Sequence, residues 1–502
     1  MRYEPIAIIG IGCRYPGGID DPRSFWEVIA AGTDAIGEIP PDRWRADAHF
    51  DSDPATPGRM FVRQGGFLRS PVDRFDAGFF GMAPREAAAL DPQQRLLLEV
   101  TWEAFEDAGL PPSSTAGANV GAYIGGFTFD AATLQLADAN RHLVSTATPT
   151  GVSMTILAAR LSYTFDWRGP SLTVDTACSS SLVALHHACT ALARGECDLA
   201  VAGGVNVMVN PVTTILMSKG QFLSPDGRCK SFDHRANGYG RAEGAGVVVL
   251  KPLAAAERDG DRVYAVVRGS AVNQDGRTPG ITVPSAEAQR SVIRQTCRAG
   301  GVDPRSIGYF EAHGTGTAVG DPIEATAIGE VLDLEGWRHP LAVQLVQRAL
   351  HDDRQDLRQP RPGVGQVNPH RTALPGQDDR PERAGLDLVD PPARNDQLEM
   401  LVDPGEQLAA AACLVVGKES GDALPLLADR TGGTERQPVL PLRPLPVGTE
   451  VADRPEGEFG RRNRGELSNI PGGREPAFSG IGTKPWKVIG RTTGFCPATL
   501  NR

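Results

Sequence analysis

The chain has 502 residues, 40% of them hydrophobic and 22% charged, with a formal net charge of -10. That length exceeds what one hydrophobic core usually spans, and the acidic balance excludes the basic footprint of a nucleic-acid binder. The eight cysteines, Cys13, Cys178, Cys189, Cys197, Cys229, Cys297, Cys413 and Cys496, contain no CxxC pair and no metal-ligand spacing, so they read as free thiols of a reducing cytoplasm and no metal site is expected.

The amino-terminal run Ile6 to Ile11, closed by Gly12, is continuous, apolar and bounded by turn residues, which predicts a buried strand. It is too short to span a bilayer and has no cleavage-site pattern, so neither a targeting signal nor a transmembrane segment is expected. Asp91-Pro92-Gln93-Gln94 predicts a helix start: Asp91 accepts from free amides, Pro92 loses nothing at the first position, and Gln94 is placed to reach back. The helix should end near Gly109. Val120 to Ile124, Leu172 to Val174, Leu199 to Ala202 and Val247 to Leu250 read as further strands between helical or glycine-rich stretches, which argues an α/β layered fold.

Two segments carry chemistry. In Ser171-Leu-Thr-Val-Asp-Thr-Ala-Cys-Ser-Ser-Ser-Leu, strand alternation gives way to Leu182, Leu185, Cys189 and Leu192 at helical spacing, with Cys178 at the junction. A thiol at a helix amino terminus faces unpaired amides and about half a positive charge, the setting that makes a nucleophile. Tyr309-Phe-Glu-Ala-His-Gly-Thr-Gly-Thr then delivers His313 onto a glycine-rich loop, where the backbone can approach a ligand closely. Asp321-Pro322 starts the next helix, and Glu324 complements its dipole and braces the loop. The adjacent His186 and His187 read as one packed and one surface residue, and Lys219 and Lys230 as solvated.

Beyond about Leu334 the sequence becomes dense in Arg, Pro, Gly and Asp and loses sustained periodicity. Such a stretch cannot offset its ordering entropy and is expected to be irregular. Leu401 to Val416 is the exception, compatible with either a short helix or a strand. The arginine-proline bias is also what a GC-rich gene read in the wrong frame produces; a normal continuation in another frame would support that origin.

Asp175-Thr-Ala-Cys-Ser-Ser-Ser and Glu311-Ala-His-Gly-Thr-Gly-Thr together resemble the signature of ketosynthase (β-ketoacyl synthase) domains of type I polyketide synthases. The resemblance runs through Pro5-Ile-Ala-Ile-Ile-Gly, Phe79-Phe-Gly-Met, Asp91-Pro-Gln-Gln-Arg, Arg160-Leu-Ser-Tyr, Gly227-Arg-Cys-Lys-Ser-Phe-Asp and Gly240-Arg-Ala-Glu-Gly-Ala-Gly. Asn237-Gly-Tyr-Gly-Arg-Ala-Glu-Gly resembles the iterative synthases, including those of methyl-branched lipids. The resemblance implies a thiolase-like α/β/α/β/α sandwich of two similar halves, usually paired as a homodimer. It implies that Cys178 takes the acyl chain as a thioester and that His313 helps decarboxylate a malonyl or methylmalonyl extender. Thr315 and Thr317 are the hydroxyls expected to bind the pantetheine arm. No bound cofactor is implied; substrates arrive on the phosphopantetheine of an acyl carrier protein or on coenzyme A.

The sequence also departs from that family. A second histidine and a lysine from a Val-Lys-Thr-Asn-Ile-Gly-His loop, and a late Gly-Phe-Gly turn, are absent; His339, His351, His370, Lys418, Lys484 and Lys487 stand in no matching context. Residues 1–334 therefore read as a β-ketoacyl synthase domain with an incomplete second half, and 335–502 as a tail. The missing strands predict unpaired edges and exposed apolar surface, and poor condensation unless a separate polypeptide, such as the remainder of a split synthase, completes the site. No acyltransferase, reductase or carrier-protein motif is visible, so the acyltransferase and carrier protein are expected on other polypeptides. A degradative thiolase is disfavoured because neither Cys413 nor Cys496 fits a late glycine-flanked motif. A Cys-His hydrolase lacks a third orienting residue. A fragment or scaffold without activity is the remaining alternative.

Overall fold

The computed structural model describes residues 4–332 and the backbone of two further strands, 342–343 and 412–417. The strands are β1 (Ile6–Arg14), β2 (Ile36–Glu38), β3 (Gln64–Gly66), β4 (Val120–Gly126), β5 (Ser171–Val174), β6 (Leu199–Asn206), β7 (Gly244–Pro252), β8 (Ala265–Val272), β9 (Tyr309–Phe310), β10 (Ala342–Val343) and β11 (Ala412–Gly417). Seven of them form one mixed sheet in the order β11-β8-β1-β7-β6-β4-β5, while β2 pairs with β3 and β9 with β10. β4 runs parallel to β5 and β6, and β7 lies antiparallel to both β6 and β1.

The sheet is buried on both faces, and its side chains sort by the two-residue period of a strand. On one face Ile9, Ile124, Val201 and Val249 meet Leu97, Leu98 and Phe105 of helix Pro92–Asp107 and Leu157 and Leu161 of helix Ile156–Phe165. On the other, Tyr123, Ala200, Ala202 and Leu250 meet Leu185, Cys189 and Leu192 of helix Ser180–Ala193. Each large apolar side chain so buried contributes about 1.5–3 kcal/mol. A third cluster opens the second half of the fold, with Ala271 of β8 against Val292, Ile293 and Cys297 of helix Ala286–Gly300 and Ile328, Val331 and Leu332 of helix Gly320–Leu332.

The glycines of β1 seat the first of these helices. A Cβ on Gly12 would lie 2.1 Å from the Val100 carbonyl oxygen, and one on Gly10 2.3 Å from that of Ala104. The apolar run therefore needs glycine where helix Pro92–Asp107 crosses it.

The expected strands are all present, and each runs on past its apolar core. Helix Pro92–Asp107 starts as expected, with Asp91 accepting the Gln93 N–H at 2.8 Å. Gln94 does not reach back. The Asp91 N–H already donates to the Gly151 carbonyl at 2.8 Å, and the buried Gln94 amide donates to the carbonyls of Thr150 and Gly151 instead. Within Leu401 to Val416 the structure selects strand, since β11 pairs antiparallel with β8. The outer edge of β8 is thus not bare, contrary to the expectation of unpaired edges there. Exposed apolar groups do occur, among them Leu182, Tyr309 and Val319. The expectation of an irregular tail lies outside the described residues. Among the described residues, no helix is long and apolar enough to cross a membrane.

Candidate active site

Cys178 stands on a turn built from short-range hydrogen bonds. β5 leads to Asp175, whose Oδ1 accepts the Ala177 N–H at 3.0 Å. Ala177 has φ 53°, a left-handed conformation that costs a residue with a Cβ about 1–3 kcal/mol and is typical of functional turns. The Ser180 hydroxyl accepts the Thr176 N–H at 2.8 Å and donates to the Ala177 carbonyl at 2.6 Å, closing the 3-10 turn Ala177–Ser179 that holds the cysteine. Helix Ser180–Ala193 follows at once.

This helix start is pressed onto the sheet. A Cβ on Gly125 of β4 would lie 2.5 Å from the Ser181 nitrogen, and one on Gly204 of β6 2.8 Å from the Ser181 Cβ. The thiol is thereby raised at the amino end of a helix, where unpaired amides favour negative charge. Of the six described cysteines Cys178 alone is exposed. Burial pushes the thiols of Cys13 and Cys189 up to about 12 and that of Cys197 up to about 11, and it raises Cys229 and Cys297 as well.

His313 stands on a second platform, the loop between β9 and helix Gly320–Leu332, and it too is exposed. Gly314 and Gly316 have φ 52° and 76°, so the loop turns twice through a region that favours glycine. Glu324 accepts the backbone N–H groups of His313 at 2.7 Å and Gly314 at 2.9 Å, the bracing expected of it. Thr315 and Thr317 come together, with hydroxyls 3.0 Å apart, and Thr317 Oγ1 also accepts the Gly320 N–H at 3.1 Å.

One residue read only as a helix starter has a larger part. Buried Asp321 accepts the Gly316 N–H at 3.1 Å with one carboxylate oxygen and the Phe232 N–H at 2.5 Å with the other. The Gly238 N–H donates to the Gly316 carbonyl at 2.9 Å, and the Ser231 hydroxyl donates to that of Gly314. The segment 231–238 and the His313 loop are therefore fastened along their length, and Phe232 is held at φ 56°. The available signal was a pair of carboxylates three residues apart around Pro322, facing a loop rich in free amides.

Two lysines read as solvated are engaged. Lys230 Nζ lies 2.8 Å from Ser224 Oγ, Asp226 Oδ1 and Asn237 Oδ1, with its side chain 13% exposed. Burial works to raise the Asp226 carboxyl, but bonds from Lys230 and Ser224 win and hold it at about 2. Lys219 donates to the Pro54 carbonyl at 2.7 Å and to that of Thr56. His186 is half-buried, with Nδ1 2.9 Å from Ser270 Oγ, while His187 is exposed. An open groove of about 640 Å³ between Phe50, Phe61, Arg63, Leu223 and Asn237 is lined by none of Cys178, His313, Thr315 or Thr317.

A family profile described as "Beta-ketoacyl synthase, N-terminal domain" matches residues 3–256, and one described as "Beta-ketoacyl synthase, C-terminal domain" matches 264–350. One polypeptide of the phenolphthiocerol/phthiocerol polyketide synthase of Mycobacterium tuberculosis is 54% identical over 325 residues, which is 65% of this chain and 21% of that protein. Another polypeptide of the same synthase is 52% identical over 334 residues, 66% of this chain and 18% of the relative. The chain thus spans about a fifth of the length of these curated relatives. Among solved structures, an oxazolomycin ketosynthase domain from Streptomyces albus is similar with TM-score 0.65 and 42% identity, covering 69% of this chain and 59% of that one. The ketosynthase from module 6 of the bacillaene synthase of Bacillus subtilis is similar with TM-score 0.62 and 38% identity, covering 69% and 57%. The layered α/β architecture, the elbow at Cys178 and these matches lead to one assignment: the chain belongs to the β-ketoacyl synthase family, with the thiolase-like fold of the ketosynthase domains of type I polyketide synthases.

Proposed function

We propose that the chain acts in a polyketide synthase of lipid biosynthesis, with Cys178 as acyl acceptor and His313 as a donor to the extender. The observation that carries this reading is the exposure of Cys178 alone among the described cysteines, on a strained turn at the start of helix Ser180–Ala193. The Cys178 sulfur attacks the carbonyl of an acyl thioester, forming a new thioester and expelling the carrier's thiol. A malonyl or methylmalonyl thioester then loses carbon dioxide, and its carbanion attacks the acyl carbonyl, breaking the bond to sulfur. Negative charge develops on both thioester oxygens, so amides near Cys178 and a neutral His313 imidazole serve as donors. Thr315 and Thr317 are read as neighbours of the pantetheine arm, and Thr317 must share its oxygen with the Gly320 N–H.

The partners of this reading are a phosphopantetheinylated carrier protein and an acyltransferase on other polypeptides, and a second copy of the chain as a homodimer, in the cytoplasm. Residues 1–334 are taken as the synthase domain and the remainder as a tail. A second reading is supported by the missing Val-Lys-Thr-Asn-Ile-Gly-His loop: the chain takes up acyl groups but condenses only when a separate polypeptide completes the site. Intact-protein mass spectrometry after incubation with an acyl thioester tests the core of both readings. A single acyl adduct, lost in Cys178→Ala, is expected; soluble protein without an adduct would mean that the family likeness is ancestry without activity. Ketoacyl product from carrier-bound substrates then separates the full synthase from the half site.

A further inference from the structure

The two neighbours of β8 differ in extent. On its inner side β1 meets it only through Ile6, Ala7 and Ile8, opposite Val267, Val266 and Ala265. On its outer side β11 covers it from Ala412 opposite Val272 to Gly417 opposite Val266, with one register shift between Val415 and Val416. The C-terminal family match ends at residue 350, so this covering strand comes from outside the part of the chain that resembles its relatives.

We propose that the outer edge of β8 is a strand-docking surface whose occupant is the Ala412–Gly417 segment of the same chain, and that this pairing keeps the β8 edges of two molecules apart. A strand edge offers a row of unpaired amides and carbonyls to any other chain. β8 has one charged residue, Arg268, in its Ala265–Val272 run, which leaves little to repel a second copy. The occupant, Ala-Cys-Leu-Val-Val-Gly, carries no charge and is rich in residues that suit a ladder. Helix Ala286–Gly300 lies against both strands, so the added strand extends a layer already in place. The tether of roughly 70 residues between β10 and β11 raises the closure cost only logarithmically, and the strand is still delivered within one molecule.

The register supplies the test. Cys413 stands opposite Ala271 in the register, so Ala271→Cys places two cysteines at paired backbone positions; it is made in the full chain with Cys297→Ala, because Cys297 packs in the same cluster as Ala271. Mild oxidation with diamide and non-reducing peptide mapping should give a 271–413 disulfide within single chains. Deleting residues 407–418 should speed hydrogen exchange of the 266–272 amides at least tenfold and add larger species beyond those of the unmodified chain. Unchanged labelling of Cys178 by iodoacetamide in both variants shows that the elbow still folds. The proposal is overturned by absence of the 271–413 bond, by its formation only between two chains, or by unchanged exchange and association after the deletion.

Discussion

The carboxylate of Asp321 holds the backbone amides of Gly316 and Phe232 at once, so one buried side chain fixes the spacing between the His313 loop and the segment that covers it. Asp321→Asn keeps the shape but replaces one acceptor oxygen by a donor. A hydrogen bond to a charged group contributes about 1.5–3 kcal/mol, and a loss of that order is expected in chemical denaturation. Hydrogen exchange should rise at residues 231–238 and 313–317 while the Cys178 elbow stays protected.

Glu324 serves the same loop from one turn further along the helix, through the amides of His313 and Gly314. Under the proposed chemistry, Glu324→Gln should slow condensation at least tenfold while leaving acyl transfer to Cys178 within about twofold. Equal losses in both steps would show that the residue acts on folding alone.

Thiol labelling should separate Cys178 from the other described cysteines. Iodoacetamide added to native protein lacking Cys413 and Cys496 by substitution to Ser is expected to modify Cys178 first. Cys13, Cys189 and Cys197 react only after denaturation, because burial blocks access and keeps them protonated. Peptide mapping over a time course checks the order.

His186 links helix Ser180–Ala193 to β8 through Ser270. Burial, with a smaller push from His187, holds its imidazole below the usual value of 6.5. The unfolded chain therefore takes up a proton before the folded one does. The contribution of this neutral histidine is full above about pH 6.5 and is lost as pH falls through its lower folded value. His186→Asn should flatten that part of a stability-versus-pH curve, and His187→Gln should move its midpoint upward.

The Arg43–Glu243 pair joins two buried side chains at 2.7 Å, and Glu243 also accepts the Leu68 N–H at 2.9 Å and the Met208 N–H at 3.1 Å. Glu243→Ala leaves a guanidinium and two amides without this acceptor, and a loss of about 3–5 kcal/mol is expected. Glu243→Gln should cost less. Thermal unfolding of both variants tests the ranking.

The elbow was legible because its parts are adjacent in sequence: the alternation of Leu172 and Val174, the cysteine, and the helical spacing of Leu185, Cys189 and Leu192 occupy one stretch. The glycine loop around His313 was legible for the same reason. What escaped is non-local. Nothing near Lys219 marks the distant carbonyls of Pro54 and Thr56 as its acceptors, and nothing near Gln94 announces that Gly151 will occupy the Asp91 amide. The strand character of Leu401 to Val416 was left open because a short apolar run has no period of its own; its partner β8 decides it.

The centre of the sheet places β1 beside β7, with Ile6 opposite Pro252 and Arg14 opposite Ala245. During synthesis at ~5–20 residues per second, the roughly 240 residues between them take about 12–50 s to emerge. Its other neighbour, β8, is made later still. Strand pairing itself runs in microseconds to seconds. An apolar strand therefore leaves the ribosome long before either neighbour exists, and the pace of translation sets the earliest moment at which the middle of this sheet can close.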